Sequence, residues 1–97
     1  MRTLLTIRMN TQSANEAIRN GSLAQTLQQT MEKLNPEAAY FTTVGGRRTA
    51  LFVFDMAESS QMPAIAEEFF MELDADITYQ PVMNYDDLQK GLAALPR

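Results

Sequence analysis

Tyr40-Phe41-Thr42-Thr43-Val44-Gly45-Gly46-Arg47-Arg48-Thr49-Ala50-Leu51-Phe52-Val53-Phe54-Asp55-Met56 reads as a β-hairpin whose second strand is apolar on both faces. The adjacent glycines supply the positive φ that a tight hairpin turn needs, and the flanking β-branched and aromatic residues favour extended backbone. Successive strand side chains point to opposite sides, so Ala50, Phe52 and Phe54 share one face and Leu51 and Val53 the other. Such a strand needs a layer on each side. The rest of the chain offers helices for one layer, so the second is expected to be a partner copy or a ligand.

Upstream, Thr3 to Met9 sets Leu5, Ile7 and Met9 against Leu4, Thr6 and Arg8, the period of a strand with one face on a core. Ser13-Ala14-Asn15-Glu16 has capping-box spacing, and Ala17, Ile18, Gly21, Ala24, Leu27, Met31 and Leu34 follow at helical intervals. Asn20-Gly21-Ser22 predicts a break inside that helix, because Gly is a poor interior residue and Ser22 can cap a new start. Asn35-Pro36 ends it. Downstream, Ser59 and Ser60 offer N-caps, Pro63 suits a first helical turn, and Met62, Ile65, Ala66, Phe69 and Leu73 form a helical stripe. Ala75 to Met83 alternates as a fourth strand, and Pro81 within it predicts a sheet edge. Asn84, with Asp86 and Asp87 behind it, caps a short last helix carrying Leu88, Leu92 and Leu95.

The order β-α-β-β-α-β plus a terminal helix is the split βαβ, ferredoxin-like plan, an α+β fold in a single domain over residues 1–97. Right-handed crossovers put strands one and three in the centre of an antiparallel sheet of order 4-1-3-2, with helices on one face. A two- or four-residue hairpin loop gives the same parity, whereas a three-residue loop or bulge inverts it. Phe41, Thr43, Ala50, Phe52 and Phe54, with Leu5, Ile7 and Ile77, then lie under the helices. Thr6, Arg8, Tyr40, Thr42, Leu51, Val53, Thr78 and Gln80 occupy the opposite face. That face is half apolar and half hydrogen-bonding, and leaving it bare forgoes roughly 1.5–3 kcal/mol per large apolar side chain.

Composition removes whole classes of function. Without cysteine there is no disulfide, thiolate nucleophile or Cys-ligated metal, and without histidine the usual proton shuttle and commonest transition-metal ligand are missing. No metal site and no cofactor is expected. A net charge of −4 with eight scattered basic residues disfavours nucleic acid and anionic membrane as partners. Arg8 interrupts the apolar run at the N-terminus, which reads as a first strand rather than an export signal, and the longest apolar run, Ala50 to Phe54, is far short of a membrane span. A soluble, cytoplasmic protein is the expectation.

Within this plan, Asn35 to Phe41, the turn Gly45-Gly46-Arg47-Arg48 and the segment Pro81 to Leu88 resemble small stand-alone members of the dimeric α/β-barrel superfamily of ferredoxin-like proteins, over essentially the whole chain. The resemblance implies a homodimer through the sheet face, with a pocket between the sheets. It implies no single activity, since the superfamily includes cofactor-independent monooxygenases, muconolactone isomerase, haem-degrading enzymes and dye-decolourising peroxidases. Its haem-degrading and peroxidase members generally use an axial His and some of its monooxygenases a Trp, and this chain contains neither.

Arg8 is the sharpest single residue, a central-strand cation able to hold a carboxylate or enolate bidentately. An interface ion pair with a partner's carboxylate, or a side chain running off the strand end, is the more ordinary role of such a residue. Tyr40 and Tyr79 can donate hydrogen bonds in a pocket, or serve β-propensity alone. Asp55 is a base if desolvated and a loop start otherwise. Asp74 and Asp76 share a strand face, as acid/base pairs do, but a solvated strand start fits them better. Arg47 and Arg48 lack the spacing of a phosphate loop and read as solubilising turn residues; Glu67, Glu68 and Glu72 read as a solvated helix face. Met62, Met71 and Met83 suit a pliable interface or apolar pocket. Phe52-Val53-Phe54 resembles the aromatic strand of RNA-recognition modules, but its spacing and the acidic balance fail that motif.

The leading expectation is a homodimer binding a small, partly apolar or carboxylate ligand between its sheets. The alternatives are a cofactor-independent isomerase or monooxygenase, with Arg8 stabilising negative charge and Tyr40 or Tyr79 donating a proton, and a purely structural dimerisation module.

Overall fold

In the computed structural model, which describes residues 1–96, the hairpin forms as β2 (Ala38–Val44) and β3 (Arg47–Asp55). Gly45 and Gly46, at φ +58° and +79°, make a two-residue turn in the left-handed region that only glycine enters without steric cost. β1 (Arg2–Arg8) runs antiparallel beside β3, and β4 (Asp76–Pro81) antiparallel along its other side. The sheet order is β2-β3-β1-β4, which is 4-1-3-2 counted from the opposite edge. The apolar strand is thus central, and Pro81 ends an edge strand, where its missing N–H breaks no ladder.

β1 connects to β2 through α1 (Thr11–Arg19) and α2 (Ser22–Leu34), and β3 to β4 through a 3₁₀ turn (Ser59–Gln61) and α3 (Met62–Leu73). The arrangement is a small α+β domain compatible with a ferredoxin-like fold. The helical segment divides at Gly21, φ +80°, as the sequence predicts. Its start differs: Asn10, not Ser13, is the cap, its side-chain oxygen accepting from the Ser13 N–H at 3.0 Å. Starting three residues earlier brings Ala14 as well as Ala17 onto the sheet, where both are buried. The cap of α2 is Gly21 rather than Ser22, which is its first helical residue, and the Ser22 N–H donates back to Asn20 Oδ1 at 2.8 Å. Glu58, not Ser59 or Ser60, caps the 3₁₀ turn, in a reciprocal box with Gln61.

The core lies between one sheet face and α1 to α3. Leu5, Ile7, Ala50, Phe52 and Phe54 meet Ala14, Ala17, Ile65, Phe69 and Leu73, all buried. Phe41 stacks edge-on against Phe52, ring centres 6.0 Å apart at 88°. Thr26 donates to Glu72 at 3.2 Å, so Glu72 ties α3 to α2 rather than merely facing solvent.

The last helix, α4 (Tyr85–Ala93), starts from Asn84 in a capping box with Asp87, as its sequence predicts, but buries no residue. It stands away from the body. The radius of gyration is 15.5 Å, against roughly 12.5 Å for a compact domain of this length, and the molecule measures 57 × 27 × 18 Å. Among the described residues no helix is long and apolar enough to cross a membrane.

Candidate functional site

The sheet face turned away from the helices is the candidate site, and strand register arranges it in transverse rows. The middle row runs Tyr40, Leu51, Thr6, Thr78 across β2, β3, β1 and β4. On one side of it lie Ala38, Val53, Leu4 and Gln80, and on the other Thr42, Thr49, Arg8 and Asp76. All eight residues predicted for this face stand on it. Leu4, Ala38 and Thr49 belong with them, and the same alternation that placed Thr6 and Leu51 identifies them.

The two faces differ sharply in cover. Along β1 and β3, Leu5, Ile7, Ala50 and Phe52 are fully buried, whereas their neighbours Leu4, Thr6, Leu51 and Val53 are only partly so. Among the described residues none of the helices buries Leu4, Thr6, Leu51 or Val53, and Tyr40 is 67% exposed. The surface therefore offers three large aliphatic side chains on the two central strands, fringed by the hydroxyls of Thr6, Tyr40, Thr42 and Thr78 and the amide of Gln80. Such a surface can bury apolar material while orienting it through a few hydrogen bonds.

Arg8 sits at one corner rather than in the middle. Its Nε donates to the Val44 carbonyl at 3.0 Å and its Nη1 to Asp76 Oδ2 at 3.4 Å, so the side chain is laid against the hairpin turn. Arg47 Nη1 approaches the same Asp76 oxygen at 3.7 Å, leaving a cluster of two cations and one carboxylate. Thr49 beside it is buried and donates to the Arg47 carbonyl at 3.0 Å. Asp76 is thus committed to this cluster, while Asp74 terminates α3 in the left-handed conformation; they do not act as an acid pair.

Tyr79 does not join Tyr40. It lies on the helix side, opposite Leu5, and its hydroxyl donates to the Met62 carbonyl at 2.8 Å, while burial pushes its phenol above the usual range. Asp55 is not a desolvated base either. The N-terminal ammonium hydrogen-bonds it at 2.7 Å, and that bond and charge hold its carboxyl below the ordinary range. At the same end of the sheet Arg2 bridges Glu37 and Asp87, fastening the first turn of α4; periodicity alone carries no signal for this three-element link. Met71 and Met83 are exposed and Met62 half-buried.

A groove of about 310 Å³ opens separately between α2 and the β2 edge, lined by Met9, Leu23, Leu27 and Phe41. Among the described residues no group of three or more carboxylates is placed to hold a metal ion. Comparison with protein-family models, with curated proteins and with solved structures found no match to this chain.

Proposed function

We propose that this chain is a ferredoxin-like protein of the dimeric α/β-barrel type, which pairs sheet to sheet with a second copy and binds a small, partly apolar molecule between the two sheets. The observation that carries this reading is the uncovered middle of the sheet: Leu4, Leu51 and Val53 on its central strands have no layer above them, though the other side of the same strands is dry. Covering each of these side chains is worth roughly 1.5–3 kcal/mol. A two-fold pairing covers both copies at once, and the hydroxyl fringe suits a ligand that must be oriented as well as buried.

The ligand class follows from Arg8. Its guanidinium already meets Val44 and Asp76, so a carboxylate ligand would have to compete with Asp76 for it. An uncharged apolar molecule carrying one or two hydrogen-bonding groups fits the face better. The isomerase or monooxygenase reading is left with Arg8 and Tyr40, since Tyr79 points the other way.

Light scattering at micromolar concentration should give twice the 10.9 kDa chain mass. A thermal-shift screen of small hydroxylated aromatics and aliphatics should then return stabilising compounds whose effect shrinks in Tyr40→Phe and Thr6→Val. A monomer in the first measurement overturns the reading. A dimer without ligands and with a filled interface in its crystal structure would make the chain a structural dimerisation module instead.

A further inference from the structure

α4 is an ordered helix with nothing to order it. Isolated helices shorter than about 12–15 residues are marginal in water, so a helix of this length draws its stability from packing. It spans nine residues, yet none is buried. Leu88 and Leu92 fall at i and i+4 along one side, Leu95 follows just beyond the helix end at Ala93, and Leu92 and Leu95 are more than half exposed. Its only described polar tie to the sheet is at its first turn, where Asp87 meets Arg2 at 3.0 Å. Beyond that turn the helix lengthens the molecule instead of folding back on it.

The surface area indicates how much is missing. The chain exposes 6535 Å², roughly 950 Å² more than a compact monomer of its mass. A standard interface removes about 800 Å² from each partner. The excess therefore matches what pairing with one more protein surface of ordinary size would remove. A second copy brings an identical excess of its own, so one symmetric association satisfies both chains.

We infer that α4 and the residues just after it are an exchange arm: in the dimer, Leu88, Leu92 and Leu95 of each copy are buried against the other copy, with Arg2 and Asp87 fixing the direction in which the arm leaves its own sheet. The inference rests on the pairing proposed above but not on its sheet-to-sheet geometry, so the two can fail separately.

The experiment uses the full-length chain. A mixed sample of isotope-labelled and unlabelled protein, read by isotope-filtered nuclear Overhauser spectroscopy, should show contacts between copies at the Leu88, Leu92 and Leu95 methyls. The double variant Leu88→Asp/Leu92→Asp should keep its circular dichroism spectrum, because neither side chain is in the core, and its dimer should dissociate at least roughly tenfold more readily. A dimer with no such contacts, or one indifferent to the double variant, overturns the arm. Contacts of these methyls only within one copy, or a monomeric wild type, overturn it as well. Should the double variant misfold, the wild-type spectrum alone decides. Dissociation by the arm variant together with indifference to Leu51→Asp would leave the arm standing and remove the sheet-to-sheet pairing.

Discussion

Arg8 Nε donates to the carbonyl oxygen of Val44 at 3.0 Å, binding a side chain of the central strand to the end of the hairpin two strands away. The contact adds to the positive φ a second reason for glycine at one of the two turn positions. At Gly45 the backbone has φ +58°, and a Cβ there would lie 2.5 Å from Arg8 Nη2; at Gly46, φ +79°, a Cβ would meet nothing. Gly46→Ala should therefore cost only the left-handed backbone term, about 1–2 kcal/mol. Gly45→Ala should cost more, because it also displaces Arg8 from Val44 and Asp76. In an Arg8→Ala background that excess should vanish, which urea denaturation of the four proteins in a double-mutant cycle will measure. Additive costs would mean that Arg8 is not seated at the turn.

Phe52 is buried completely at the centre of the helix-side core, while its stacking neighbour Phe41 is 56% exposed at the sheet edge. Phe52→Ala should cost about 3–5 kcal/mol, a large fraction of the stability of a domain this small. Phe41→Ala keeps the core closed and loses mainly the edge-on contact, about 1 kcal/mol. Comparable losses for the two variants in equilibrium unfolding would contradict the assignment of faces.

Much of this architecture is legible in the sequence because alternation and parity are local. A two- or four-residue loop at Gly45-Gly46 gives the same pairing parity, the larger aromatic volume of the Phe52 face turns that face inward, and the other residues of both faces follow; the turn that forms has two residues. Helix starts were less legible because several good caps lie close together: Asn10 and Ser13 are both competent, and the burial of Ala14 decides between them. The standing of Arg8 was legible only as alternatives, since nothing in a strand pattern says how far a long side chain reaches along the sheet. Tyr79 shows the converse. Its parity with Ile77 places it under α3, and that parity is a better guide than its chemical suitability for a pocket.

Tyr79 should give the stability curve an alkaline limb. Its folded-state pKa is raised by burial from an ordinary value of 10.0, so the folded chain holds the phenolic proton longer than the unfolded one. The stabilisation is complete below the unfolded value and is lost as pH rises through the folded one. Tyr79→Phe should lose about 0.5–1.5 kcal/mol at neutral pH, from the missing bond to the Met62 carbonyl. It should also flatten the fall in stability above that pH. A variant whose alkaline limb matches the wild type would assign the limb to other groups.

Asp55 should act at the acid end. Its carboxyl is held low by the N-terminal ammonium, so its contribution is present above the unfolded carboxylate range and fades as pH falls through the folded value. The pair is exposed, which makes the effect small and sensitive to salt. Asp55→Asn should shift the acid midpoint slightly upward at low ionic strength and leave it unchanged in molar salt. A shift that persists in molar salt would mean that the carboxylate has a buried role.

Leu51 and Phe52 are chain neighbours on opposite faces, and introducing a charge at each separates folding from assembly. Phe52→Asp places a carboxylate in the sealed core and should leave no folded protein. Leu51→Asp places it among Thr6, Tyr40 and solvent, so the monomer's core is untouched. If two copies cover this face, wild-type thermal unfolding should shift upward with protein concentration, since association stabilises the folded chain by mass action. In Leu51→Asp the concentration dependence should disappear while a cooperative transition remains. Scans at several concentrations measure both. A wild-type midpoint independent of concentration would show that the face stays uncovered, and a Leu51→Asp chain without a transition would place Leu51 in the monomer's own core.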